Sequence, residues 1–176
     1  MTQISLMAAA ALVLTAAATD LRRRRIPNWL TWGGAITGLL LHTVTGGWAG
    51  LGLGIEGMLL GFGVYFVFYC LHAMGAGDVK LMAAVGAVVG PSNWIAVFTA
   101  TAIAGGAAAA ALVVAKGRVR QTLWNIRHIL SELILLRPPY LRRSYLDVKH
   151  PGALTLPHGI AIAAGTVFCI VAARIG

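Results

Sequence analysis

The 176-residue chain is 59% apolar and only 11% charged, with a mean hydropathy of +0.81. A water-soluble domain is nearer one-quarter charged, so the composition excludes one and describes an integral membrane protein. The net charge of +9 would point to nucleic acid in a soluble protein, but here the bases lie in two blocks between apolar segments, the pattern of topology signals and of contacts to anionic membrane lipid, so no nucleic-acid partner is expected.

The first apolar run predicts a helix from about Gln3 to Thr19, its alanines leaving a narrow surface that neighbours can approach closely. No basic n-region precedes it, so it reads as a retained membrane helix rather than a cleaved signal. A loop from Asp20 to Asn28 carries Arg22, Arg23, Arg24 and Arg25 and ends in Ile26-Pro27-Asn28. Proline holds the residue before it extended and suits the first helical position. Helix 2 is predicted from Trp29 to Val44, with Trp29 and Trp32 at interface depth, followed by a turn at Gly46, Gly47 and Gly50. Helix 3 runs from Leu51 to Leu71, with Glu56 near its outer end.

Gly75-Ala76-Gly77-Asp78-Val79-Lys80-Leu81 then sets a carboxylate and a lysine inside an otherwise apolar region. Helix 4 is expected to start at Asp78 and end at Val89, short for a span of about 20 residues. A turn at Pro91-Ser92-Asn93 leads to helix 5, Trp94 to Ala115. In the polar stretch from Lys116 to Pro151, Val119, Leu123, Ile126, Leu130 and Leu133 recur at three- and four-residue steps. That spacing predicts an amphipathic helix on the cytoplasmic surface, ended by Arg137-Pro138-Pro139. Helix 6 is predicted from Leu154 to Ala173, interrupted early by Pro157-His158-Gly159. The expected architecture is therefore all-α: one membrane-embedded domain over residues 1–176, a bundle of about six transmembrane helices, with a cytoplasmic loop near 116–153 that carries the amphipathic helix.

Six spans place the segments after helices 1, 3 and 5 on one side, and thirteen of the fourteen Lys and Arg residues fall there; Arg174 is the exception. The positive-inside rule makes that side cytoplasmic, puts both termini outside, and puts Asp20 and Asp78 on the same, cytoplasmic, side. The chain has only five acids, Asp20, Glu56, Asp78, Glu132 and Asp147, and Glu56 falls near the opposite face. An ionisable group at a membrane segment is costly and signals function. Two carboxylates sharing one proton hydrolyse peptides without a metal: the ionised acid takes a proton from water while the protonated one hydrogen-bonds the scissile carbonyl. Gly75 and Gly77 open backbone angles closed to other residues and leave room for an extended substrate. Lys80 either tunes Asp78 or follows the positive-inside rule. Taken singly, Asp20 also reads as a solvated helix-end acid among arginines, and Asp78 as an N-cap paired with Lys80. His42, His72 and His158 lie near apolar segments without metal-ligand spacing such as HxxxH and are expected to be satisfied polar residues, not ligands. Cys70 and Cys169, with no CxxC spacing, are expected as small buried hydrophobes rather than a zinc site or a disulfide. No metal or cofactor is expected.

Three motifs carry a resemblance to a known family. The Gly75–Leu81 segment resembles the GxGD signature of membrane aspartic proteases. Asp20 followed by arginines and Ile26-Pro27-Asn28 resembles the first-aspartate motif of the type IV prepilin peptidase family. Leu156-Pro157-His158-Gly159-Ile160-Ala161 is similar to that family's late Pro-x-Gly segment, which is often aromatic where His158 stands. The resemblance implies a bundle with catalytic Asp20 and Asp78 at the cytoplasmic boundary of the bacterial inner membrane. It also implies cleavage of the short basic leader from prepilins or pseudopilins, used in type IV pili and protein secretion. Gly75, Gly77, Lys80, Pro27, Asn28, Pro157 and Gly159 would shape the site or contact the substrate helix. Larger members add a cytoplasmic region with paired cysteines and methylate the new amino terminus. The short Asp20–Asn28 connection leaves no room for it, so the chain resembles the short, peptidase-only members of tight-adherence (Flp-type) pilus systems. Two readings from other classes compete: a small ion or proton transporter using both aspartates, which would place them at mid-membrane depth in broken helices, and a non-catalytic assembly scaffold, which makes no demand on Asp78.

Overall fold

A computed structural model describes residues 2–134 and 158–175, all of whose regular structure is helical: α1 (Gln3–Arg23), α2 (Asn28–Cys70), α3 (Ala76–Ala115), α4 (Val119–Ile134) and α5 (His158–Ile175). By length and composition α1, α2 and α3 are apolar enough to cross a membrane, and α5 is a shorter apolar helix. At 1.5 Å per residue, the 43 residues of α2 would extend about 65 Å if straight, twice the thickness of a bilayer core.

Neither α2 nor α3 is straight. Gly47 leaves the helical region at φ 58°, ψ −142°, and Gly90 at φ 75°, ψ 171°, where only glycine sits without strain. Both long helices fold back at these points. A Cβ on Gly54 would touch Leu39 and His42, and one on Gly50 would overlap the His42 carbonyl, contacts possible only if the second half of α2 lies against the first. Likewise the Trp94 indole Nε1–H donates to the Met82 carbonyl at 3.1 Å, although the two residues are twelve apart. The predicted helices 2 and 3 are thus the halves of α2, and helices 4 and 5 the halves of α3. The second turn lies at Gly90 rather than at Pro91-Ser92-Asn93, which are helical. Pro91 opens the second half, where its missing N–H matters least, and Asn93 Nδ2 donates to the carbonyl of Val89 at 2.8 Å.

The first half of α3 is the axis of the bundle. Residues 81–90 are buried without interruption, which explains why Leu81-Met82-Ala83-Ala84-Val85-Gly86-Ala87-Val88-Val89 is apolar all round. Around it pack Ala9, Leu12, Val13 and Ala16 of α1, Leu30, Ala35 and Tyr65 of α2, and Ile162 and Ala163 of α5. Glycines set the spacing: Gly57 and Gly86 meet backbone to backbone, Gly38 lies on the peptide between Ala87 and Val88, and Gly61 on the Met82 carbonyl and Trp94. Such close approach maximises dispersion contact where lipid offers helices no hydrophobic gain from association.

The outer faces are apolar as well, with Met7, Leu14, Trp32, Ile36, Leu40, Leu59 and Ile103 exposed, a surface suited to hydrocarbon rather than to water. The helix α4 forms where the three- and four-residue spacing predicts it, and its Leu123, Trp124 and Ile126 are exposed rather than packed on the bundle. Cys70 is exposed at the end of α2 and Cys169 is half-buried; both are free. The expected burial of Cys70 is therefore corrected: it ends a helix rather than lying inside one.

Candidate active site

Helix α1 continues through Arg23, one turn beyond its predicted end, so Asp20 is a helical residue and not a loop residue. The helix stops where Arg24 adopts a left-handed conformation, φ 50°, and donates its N–H to the Asp20 carbonyl at 2.9 Å. The extra turn carries the Asp20 side chain inward: the residue is 8% exposed, while Arg22 to Arg25 around it are all exposed. The reading of Asp20 as a solvated acid among arginines therefore fails. Its Oδ2 accepts the N–H of Gly159 at 3.0 Å in a buried hydrogen bond across 139 residues. Gly159 lies in the first turn of α5, where backbone N–H groups have no partner within the helix and the dipole favours an anion. Glycine leaves the space for this contact: a Cβ would stand 3.0 Å from Asp20 Oδ2 and 3.1 Å from its Cβ, so Asp20 would have to give way.

Asp78 lies in the first turn of α3, which begins at Ala76 and is capped by Gly75, two residues earlier than predicted. Its Oδ2 accepts the Gly75 N–H at 3.2 Å, closing the turn onto its own carboxylate. The residue is half-buried. Lys80 does not pair with Asp78; its Nζ donates to Asn28 Oδ1 at 3.0 Å. That bond joins the start of α3 to the start of α2, and a Cβ on Gly77 would touch Ile26 at 3.4 Å. The Ile26-Pro27-Asn28 and Gly75–Lys80 segments, some fifty residues apart, are one structural unit. Pro27, extended at φ −67°, ψ 141°, caps α2, and its carbonyl accepts from Leu30 N at 3.2 Å.

The end of α1 and the starts of α2, α3 and α5 thus meet at one end of the bundle. Asp20 and His158 are both near enough to Asp78 to act on its charge, and Asp78 acts in turn on Tyr65. Tyr65, 1% exposed, lies with its ring centroid 6.0 Å from that of His158. Each carboxylate is held by a separate backbone N–H in this state. Sequence reasoning singles out Asp20, Asp78, Gly75, Gly77, Lys80, Pro27, Asn28 and Gly159, and the fold gathers them all here; Pro157 lies outside the described residues. It misses Tyr65, one aromatic residue among several in an apolar helix, and it undervalues His158. The expectation that the histidines are satisfied is corrected: Nε2 of His158, like that of His42, is shut off from solvent and has no hydrogen-bond partner.

The fold is an apolar helical bundle with two scarce carboxylates, Asp20 and Asp78, at one glycine-lined end. The chain belongs to the type IV leader peptidase family, whose model matches residues 7–110. It is therefore a protease by family. The matched region holds both aspartates and both of their motifs, and it ends before His158 and Gly159, which the fold adds to the site. Neither the curated proteins nor the solved structures gave a match.

Proposed function

We propose that this protein is an aspartic endopeptidase that removes the short basic leader from type IV prepilins or pseudopilins at the cytoplasmic face of the bacterial inner membrane. Asp20 and Asp78 form its dyad. The observation that carries the reading is that α1 and α3 bring these two carboxylates within electrostatic reach at one end of the bundle, inside the family's matched region.

One carboxylate is ionised and takes a proton from the attacking water. The other is protonated and hydrogen-bonds the scissile carbonyl, whose oxygen gains charge as the tetrahedral intermediate forms. Collapse of the intermediate breaks the C–N bond as a proton passes from the dyad to the leaving amine. Gly75 and Gly77, having no side chains, leave room beside Asp78, so an extended leader can pair with the backbone there. Lys80 and Asn28 link the two motif segments, Pro27 caps α2, and Gly159 holds Asp20. The six apolar segments (α1, the halves of α2 and α3, and α5) each cross the bilayer, with the substrate's apolar helix between them. The exposed apolar face of α4, flanked by Arg118, Arg120 and Arg127, rests on anionic lipid. Both acids lie at one end of the bundle rather than midway along it, which argues against a transporter.

Co-expression with a candidate prepilin tests the proposal. Leader removal, read as a mobility shift on a gel, is expected with the native chain and lost with Asp20→Asn and with Asp78→Asn, each still folded in the membrane. Processing at near-native rate by either variant would refute the dyad.

A further inference from the structure

The second half of α2 has two faces. Gly50, Gly54, Gly57, Gly61 and Tyr65 form the buried stripe against the bundle. On the opposite side Gly52, Glu56, Leu59, Gly63, Phe66 and Cys70 recur at alternating four- and three-residue steps. That is a heptad seam, the spacing by which a helix packs along a parallel copy of itself. The seam has no occupant within the described chain: Glu56, Leu59, Phe66 and Cys70 are exposed, and a Cβ on Gly52 or Gly63 would meet nothing within 4 Å.

Glu56 is the residue that makes this face require a partner. It lies eight residues inward from Trp48, whose 87% exposed ring suits the membrane interface, and so about 12 Å along the segment. Leu53, Ile55 and Leu59 around it are exposed and apolar. A glutamate side chain is too short to reach back to water over that distance, as the longer lysine and arginine do. Among the described residues nothing hydrogen-bonds or pairs with it. A polar group on a lipid-facing surface is costly, and between transmembrane helices such groups hold neighbours together. We propose that this face is the interface of a homodimer in the membrane, in which Glu56 hydrogen-bonds the partner's Glu56.

Depth identifies the occupant. Copies of one chain insert with one orientation, so the axis relating two of them runs along the bilayer normal, and each seam residue meets its own counterpart at the same depth. A carboxyl group is self-complementary: when two share a proton, one donates and the other accepts. A different protein would have to present a polar group at that depth independently. Gly52 and Gly63, on either side of Glu56, let the two backbones come close enough for the short carboxyl groups to meet, and Leu59 packs between them. A single polar residue in a heptad seam also fixes the register. The seam faces away from Tyr65, so each copy keeps its own Asp20 and Asp78. The proposal rests on α2 crossing the bilayer as proposed above, and not on the catalytic reading.

Cys70 ends the seam and serves as a reporter. In a Cys169→Ala chain in native membranes, oxidation with copper phenanthroline in air is expected to give a disulfide-linked dimer on a non-reducing gel. Glu56→Gln, which keeps a donor and an acceptor, should retain the cross-link. Glu56→Leu and Gly63→Leu should each lower its yield about fivefold or more, since the first removes the hydrogen bond and the second the close approach. Should Gly63→Leu fail to fold, Gly52→Leu takes its place. Absence of the dimer band overturns the proposal, as does a Cys70 adduct of another mass in its place. A dimer yield indifferent to Glu56→Leu and to the glycine variant reports chance collision and overturns it too. The crossing is checked apart from the dimer: Trp48→Cys, in a chain lacking both native cysteines, should react with an impermeant maleimide from the outer side only. Labelling from the inner side would count against the proposed topology rather than against the pairing of copies.

Discussion

At the scale of single residues, Gly159 shows most directly how backbone and chemistry are joined. It donates its N–H to Asp20, and the space a Cβ would need is filled by the same carboxylate. Gly159→Ala therefore pushes Asp20 off its hydrogen bond without removing any ionisable group. Since misplacing a reacting group by about an ångström costs up to a hundredfold, leader cleavage by Gly159→Ala is expected to fall about tenfold or more while the chain still inserts and folds. Steady-state cleavage rates against the native chain check this. Lys80 offers the opposite case. Its hydrogen bond to Asn28 is exposed, and exposed polar contacts contribute little, so Lys80→Met should lower stability by about 1 kcal/mol or less. The change in unfolding midpoint in detergent measures it, and a much larger loss would mean that the bond fixes the whole loop end.

At the scale of elements, glycine positions decide where helices reverse and where they touch. Gly57 and Gly86 let the second half of α2 lie directly on the first half of α3, so Gly57→Val is expected to part them and destabilise the fold by about 1–3 kcal/mol, as overpacking does in other cores. Gly63 lies on the same half of α2, but a Cβ there meets nothing within 4 Å, and Gly63→Ala should be neutral or slightly stabilising. Unfolding midpoints of the two variants side by side test whether contact, rather than glycine content, matters. The helices themselves are legible in the sequence because apolar runs and turn residues are local signals: the end of α3 and the periodicity of α4 match their expected places. The turns are less legible. Pro91-Ser92-Asn93 looks like a break, yet proline is tolerated at the first turn of a helix, and the reversal falls on Gly90, whose positive φ no composition rule reveals.

For the whole molecule, the asymmetry of basic residues and the position of the site at one end of the bundle make a joint prediction about orientation. Cys70 is exposed at the end of α2, a few residues before Asp78. In a Cys169→Ala background, a membrane-impermeant maleimide should therefore label it in inverted vesicles and not in intact spheroplasts. Labelling only from the outer side would reverse the proposed topology and with it the proposed cytoplasmic site.

Local features of the chain determine much of this protein by themselves. Scarce charge and long apolar runs fix a helical membrane fold, since a spanning backbone must satisfy its own hydrogen bonds. The rarity of acids singles out Asp20 and Asp78, and motif spacing marks Gly75, Gly77 and Asn28. Tertiary structure alone decides what those residues touch. That Asp20 is buried on α5 rather than solvated by its arginine neighbours, that Lys80 turns to Asn28, and that Tyr65 and His158 join the site all depend on contacts between segments far apart in the chain. Such contacts arise from the packing of whole helices around the first half of α3, and no local pattern encodes them.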